Sequence, residues 1–265
     1  MKLIEKIVIN SAFLCATLIV LFSVPFIAGP VNRFGQSRTK ELLIYCSTLL
    51  IDPVYEIARV IENSTEYTCV IHRDGSGNLQ RTISLNKVGD LYFPGSEWYL
   101  TSFEDDDVVR EVVLIGYNKA VLMVQKGNPL GISSDLKNLA NKDYYVVMCN
   151  PDTGSIGREC KIICEKMGIL EDVLRNARQF KTDARQVMLA VRRNEADLAL
   201  NWYAPSVWKT YQDWVDVIPL DPSVSEPRKI SAGLLKYSRY PDAARKLMQY
   251  AGSAQGRDLF KRYGF

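Results

Sequence analysis

The chain has 265 residues, 47% of them hydrophobic and 24% charged, with a formal net charge of +3. That length and apolar content bury a full core and leave room for two lobes. The charge is mild and no Lys/Arg block or basic strip interleaved with aromatics is present, which argues against a nucleic-acid partner.

In chain order, Lys2 and Lys6 precede an almost uninterrupted apolar run over residues 7–28, softened by Asn10, Ser11, Thr17, Ser23 and Pro25. Such a run directs a chain to a membrane and is long enough to span it. Residues 1–29 therefore read as a signal peptide or an uncleaved signal anchor, forming an N-terminal hydrophobic helix, and residues 30–40 as a polar linker. Phe26 lies two residues before Ala28, the best small residue for cleavage, so both fates stay open. Cys15 lacks the small residue that lipidation wants just before it.

From residue 41 short apolar runs alternate with helical patterns. Residues 41–45 read as a strand. Asp52-Pro53 reads as the start of a helix, with Asp52 capping, Pro53 at the first helical position, and Val54, Ile57, Ala58 and Ile61 on the apolar face. Strands follow at 67–71 and 90–93, helices at 78–86 and 96–102. Residues 112–125 read as extended chain broken at Gly116-Tyr117-Asn118 and ended by Lys126-Gly127-Asn128-Pro129. Then come a helix at 135–140, a strand at 144–149, and a helix at 157–167 stopped by Gly168. Asp183 caps a helix over 184–194, with Gln186 placed for a capping box. Strands at 198–202, 215–219 and 230–236 and helices at 242–251 and 256–262 complete the chain. This alternation implies an α/β protein with parallel sheets, whose ligands sit beyond the carboxyl ends of the strands.

Several strand-to-helix junctions carry small or hydroxyl residues. Gly75-Ser76-Gly77 is the clearest, and Ser47-Thr48, Gly154-Ser155-Ile156-Gly157 and the turn around Asp183 resemble it. The first N–H groups of a helix lack intrahelical acceptors and stand at the positive end of its dipole, so each junction suits an anion. Singly, these hydroxyls would be ordinary helix caps; convergence of four junctions is what makes a site. Five cysteines beyond Cys15, with no Cys-x-x-Cys spacing, read as small buried residues. The chain has one histidine and no nucleotide-binding or zinc-protease motif, which argues against an enzyme.

The order of motifs resembles the type II periplasmic solute-binding proteins, and among them the molybdate/tungstate-binding branch of ABC importers. The resemblance covers residues 41–265. It rests on Tyr45-Cys46-Ser47-Thr48 before Pro53-Val54-Tyr55-Glu56-Ile57-Ala58, Gly75-Ser76-Gly77, Gly89-Asp90-Leu91-Tyr92-Phe93, Lys126-Gly127-Asn128-Pro129, Asn150-Pro151 with Ile156-Gly157, Arg185 with Glu195-Ala196-Asp197, and the ending from Gly256 to Tyr263-Gly264-Phe265. It implies a two-lobed type II periplasmic-binding-protein fold, each lobe a mostly parallel sheet flanked by helices. Lobe I would comprise residues 41–117 and 231–265, lobe II residues 118–230. It further implies a monomeric extracytoplasmic protein, periplasmic and free or anchored to the inner membrane, that captures a tetrahedral oxyanion by hinge closure and presents it to an ABC permease. No cofactor, metal or catalytic step is implied.

By position, the family's ligand contacts fall on Ser47, Thr48, Ser76, Ser155, Ile156, Ala184 and Trp202 or Tyr203. Three departures stand out. Leu49 occupies a position where relatives often carry Gly, Trp202 stands where Tyr is usual, and Asp74 precedes Gly75 where a small residue is common. A carboxylate there would repel a full dianion but accept a proton-bearing phosphate oxygen, or it is simply a turn residue. A phosphate or sulfate binder, and a membrane-tethered sensory module using the same clamp, are the alternative functions.

Overall fold

The computed structural model describes residues 40–104 and 107–265. The hydrophobic N-terminal segment and nearly all of the linker expected at 30–40 lie outside the described residues. Among the described residues no helix is long and apolar enough to cross a membrane.

The first sheet begins with β1 (Lys40–Ser47), α1 (Ile51–Ser64), β2 (Tyr67–Asp74), α2 (Ser76–Asn86) and β3 (Leu91–Phe93). β1 pairs in parallel with both β2 and β3, so that Ile44 lies beside Ile71 and Leu91. After the short α3 (Trp98–Thr101), β4 (Val109–Asn118) leads out of this sheet and β10 (Arg228–Leu235) returns to it. The strand order is β2-β1-β3-β10-β4. The second sheet takes β5 (Ala120–Gln125), β6 (Val146–Cys149), α4 (Ser155–Lys166), α5 (Leu170–Asn176), β7 (Ala177–Lys181), α6 (Ala184–Arg192), β8 (Leu198–Trp202) and β9 (Val215–Pro219), in strand order β7-β6-β8-β5-β9. Two C-terminal helices, α7 (Pro241–Gly252) and α8 (Ala254–Arg262), pack against the first sheet.

Both sheets are mixed. Strands joined through helices pair in parallel, whereas β10 is antiparallel to β3 and β4, and β5 is antiparallel to β8 and β9. The antiparallel pairs arise where the chain passes between sheets, because a strand arriving from the other lobe need not obey the direction of a local βαβ unit. Each lobe has its own apolar core: Leu42, Ile44, Val54, Ile57 and Phe93 in one, Leu122, Val146, Ile156, Val187 and Leu200 in the other.

Local readings differ from the structure in four places. α1 starts at Ile51 with Leu50 at its N-cap and no side-chain cap, so Asp52 sits inside the first turn, where its charge still complements the dipole. The extended chain does not break at Gly116-Tyr117-Asn118: β4 stays paired to β10 as far as Asn118, opposite Arg228. Gly116 instead makes room for the C-terminus, since a Cβ there would lie 3.3 Å from Phe265. Residues 136–140 form a 3-10 turn capped by Asp135 rather than an α-helix. Residues 169–182, which the sequence reading leaves without an element, hold α5 and β7, an edge strand whose Arg178, Gln179 and Phe180 are exposed and so lack the apolar run of a buried strand.

Asp90 fastens the first lobe. Nearly buried, its carboxylate accepts from Leu43 N at 2.7 Å, Ser238 Oγ at 2.5 Å and Arg239 N at 3.0 Å, joining β1 to the turn that follows β10. Asp90→Ala leaves these donors buried and unpaired and is expected to cost roughly 2–4 kcal/mol, read as a lower midpoint in urea unfolding. The five described cysteines are free, and all but Cys69 are buried. Burial pushes the thiols of Cys69 and Cys149 up to about 12, so Cys46, Cys149, Cys160 and Cys164 are expected to react with a thiol reagent at pH 8 only after denaturation.

Candidate functional site

The site is assembled from loops that follow strands β1, β2, β3, β6 and β7. In lobe I, β1 ends at Ser47, whose O accepts from Leu50 N at 2.8 Å as the chain turns into α1. Thr48 N donates to Asp74 O at 3.1 Å, which ties the first junction to the second. The Thr48 hydroxyl is buried and has no partner. At the second junction Asp74 accepts from Gly75 N at 2.6 Å and from Asn78 Nδ2 at 3.0 Å, so its carboxylate braces the turn. Ser76 is fully buried; its carbonyl accepts from Tyr92 Oη at 2.6 Å and its Oγ from Gly95 N at 2.9 Å.

In lobe II, the turn after β6 closes through Thr153 N and Gly154 N to Asn150 O, and α4 then begins at Ser155. The buried Ser155 Oγ accepts from Trp202 Nε1 at 3.0 Å. Ile156 points its side chain into the lobe II core, so only its backbone N–H faces the junction side of the helix start. At the start of α6, Asp183 accepts from Gln186 N at 3.0 Å, and Asn201 Nδ2 holds Ala184 O at 3.0 Å. Thr153 Oγ1 donates to Thr182 O at 2.8 Å and links the two lobe II junctions.

The lobes meet directly at these turns, and glycines permit it. A Cβ on Gly75 would lie 2.3 Å from Thr153 O, one on Gly77 2.1 Å from Asp152 O, and one on Gly95 2.4 Å from Ser155 Oγ and 3.3 Å from Ser47 Oγ. The hydroxyls of Ser47, Ser76 and Ser155 therefore gather around the Gly95 turn. Hydrogen bonds cross the cleft from Gly77 N to Thr153 O at 2.9 Å and from Arg81 Nη1 to Asp152 O at 3.1 Å. Arg185 pairs with Asp52 at 2.9 Å and lies over the Trp208 ring at 4.7 Å, which makes it an interlobe clasp. Leu49 is buried within the lobe II core, so its side chain acts as an apolar plug between lobes where a glycine would leave a gap.

Of the residues proposed from the sequence, Ser47, Ser76, Ser155 and Trp202 come together, with Thr48 at the adjoining corner. Trp202 plays a different part from a closing ligand contact: its single N–H is spent on Ser155, whose hydroxyl it orients. Tyr203 lies at the strand crossing, where its N–H donates to Lys119 O at 2.8 Å and Lys119 Nζ stands 5.9 Å from its ring centre. Sequence reasoning missed Gly95, Tyr92, Thr153 and Asn201. Phe93-Pro94-Gly95-Ser96 is also a strand-end turn, and that was the available signal; the other three act by reaching across to backbone atoms distant in sequence. Among the described residues no cluster of His, Cys, Asp and Glu could hold a metal.

The sequence profile of a family described as bacterial extracellular solute-binding protein matches residues 42–265. A Haemophilus influenzae chain described as a binding protein is 26% identical over 228 residues, 86% of this chain and 91% of that one. The periplasmic molybdate-binding protein of Azotobacter vinelandii superposes with a TM-score of 0.69 at 16% identity, over 84% of this chain and 97% of that one. The substrate binding domain of a molybdenum ABC transporter from Clostridium difficile gives 0.61 at 19% identity, covering 84% and 97%. The periplasmic binding protein AfuA from Actinobacillus pleuropneumoniae, with bound fructose-6-phosphate, gives 0.71 at 13% identity, covering 84% and 83%. At these identities the structural likenesses establish the shared fold.

Gly77→Ala tests the direct contact between lobes. Because the clash lies across the cleft and not within a core, the variant is expected to melt within a few degrees of the parent and to show a larger radius of gyration by small-angle scattering, the open form.

Proposed function

Because the chain belongs to the bacterial extracellular solute-binding proteins across residues 42–265, we propose that this extracytoplasmic binding protein captures a small tetrahedral oxyanion, of the molybdate or tungstate kind, between its lobes. It delivers the anion to an ABC permease, acting as a monomer and without a cofactor. Residues 1–29 export the chain and, where uncleaved, tether it.

The observation that carries this reading is the state of two serines. Ser76 Oγ accepts from Gly95 N and Ser155 Oγ from Trp202 Nε1, which orients each hydroxyl and leaves its proton unspent. Two O–H donors from opposite lobes, each at the positive end of a helix dipole, α2 and α4, favour a ligand that is anionic and rich in acceptors. A fully deprotonated oxyanion is such a ligand. Neutral donors fixed by helix starts replace its hydration without a buried Arg in direct contact, whose own desolvation would need offsetting. The ligand drives closure by its differential affinity, since only the closed form presents both sets of donors.

Calorimetry with molybdate, tungstate, sulfate and phosphate is expected to show binding of at least one of the four. Ser155→Ala should weaken it about 10- to 100-fold, the worth of one hydrogen bond to a charged group. Unchanged affinity in Ser155→Ala and Ser76→Ala, with both variants folded, would remove the serine cluster from the site.

A further inference from the structure

The chain crosses between the lobes through Asn118-Lys119 into β5 and returns through residues 220–227 into β10. The returning segment is fastened at both ends. On the lobe II side, Lys166 Nζ donates to Ser223 O at 2.5 Å, Val224 packs on the lobe II core, and Ser225 Oγ reaches Glu159 Oε1 at 3.5 Å. On the lobe I side, Arg228 lies opposite Asn118 at the start of β10, and the next residue, Lys229, accepts at its O from Glu97 N at 3.0 Å. Glu226 and Pro227 stand between these two anchored stretches, so a rotation of one lobe against the other falls, at this crossing, on them.

Glu159 spans that hinge. It lies on α4 one turn after Ser155 and on the same helix face, it is 4% exposed, and its two oxygens accept from Arg228 Nε at 3.0 and 2.9 Å. One carboxylate thus reaches Ser225 ahead of Glu226-Pro227 and holds Arg228 after it. Opening the lobes about these two residues carries Arg228 away from α4 and leaves a buried carboxylate without its counter-charge, which is costly. Asn118, at the other crossing, supplies no comparable brace: it is fully buried, its Oδ1 accepts from Lys119 N at 3.0 Å, and its Nδ2 has no partner.

We propose that Glu159 is a positioning residue for closure: through Arg228 it sets the angle between the lobes and holds α4, and with it Ser155, against the Gly95 turn. The inference rests on capture by hinge closure and on no particular ligand. It places a control on closure at the hinge itself, apart from the contacts that meet across the cleft.

The test is amide hydrogen exchange on the ligand-free protein, comparing the parent with Glu159→Gln, Arg228→Lys and Gly77→Ala. Gln keeps the shape and one acceptor, and the Arg228 side chain, 38% exposed, stays solvated, so the variant is expected to fold. Peptides within residues 75–81 and 150–158, which meet across the cleft, are expected to exchange at least about fivefold faster in Glu159→Gln, while peptides from β1 and β8 in the two cores keep the parent's rate. Arg228→Lys retains the counter-charge, and a single N–H rather than a fork makes the native contact, so its cleft exchange should stay within about twofold of the parent. Unchanged cleft exchange in Glu159→Gln overturns the proposal, as does acceleration that reaches β1 and β8 equally, the mark of a core residue, or an Arg228→Lys variant as open as Glu159→Gln. If Glu159→Gln does not fold, Glu159→Met, which removes the buried charge at similar volume, carries the same expectation, and failure of both to fold overturns the proposal too. Gly77→Ala separates the brace from hinge closure: cleft exchange raised there but not in Glu159→Gln sinks the brace alone, and exchange unchanged in both sinks both.

Discussion

Backbone-to-backbone approach across the cleft is the constraint on which the rest depends. Gly75 and Gly77 bring the start of α2 against Thr153 and Asp152, and Gly95 brings the β3 turn against Ser155, at distances that no side chain would allow. Helix-initial N–H groups and serine hydroxyls are weak anion binders one at a time. Buried and held from two lobes, such groups gain from the lower dielectric and from being ordered in advance.

Closure is supported by more than the ligand. The Arg185–Asp52 pair, Leu49 in the lobe II core, the Arg158–Trp98 stack and the Gly77–Thr153 hydrogen bond all span the cleft. The C-terminal tail adds to them, with Tyr263 O accepting from Trp208 Nε1 at 3.2 Å and Phe265 packed against both cores. The exposed ion pair contributes little in water, whereas burying Leu49 contributes on the order of 1.5–3 kcal/mol. An apolar plug of that size biases the empty protein towards the closed form and leaves a ligand a smaller difference to supply.

The two ends of the cleft differ in chemistry. Around Ser76 and Ser155 the polar groups are neutral hydroxyls at helix starts, and none carries a formal charge. Towards Arg81 and Arg158 the lining is charged and roomier.

Much of this was legible in the chain. The apolar face of α1, the Gly168 stop, the Asp183 cap and the hydroxyl-bearing junctions are local features, set by side-chain periodicity and by the needs of helix ends, and they point to an α/β protein of two lobes with ligands at strand ends. What local pattern could not reveal is which groups are already satisfied. Trp202 reads as an open donor until Ser155 is seen in front of it, and Gly95 as an ordinary turn until Ser155 is seen against it. Sequence determined where donors stand along each strand and helix, because that follows from nearest neighbours. Tertiary structure alone decided which donors remain free and face one another, because hydrogen bonds between segments some 20 to 50 residues apart or more are fixed by how lobes pack.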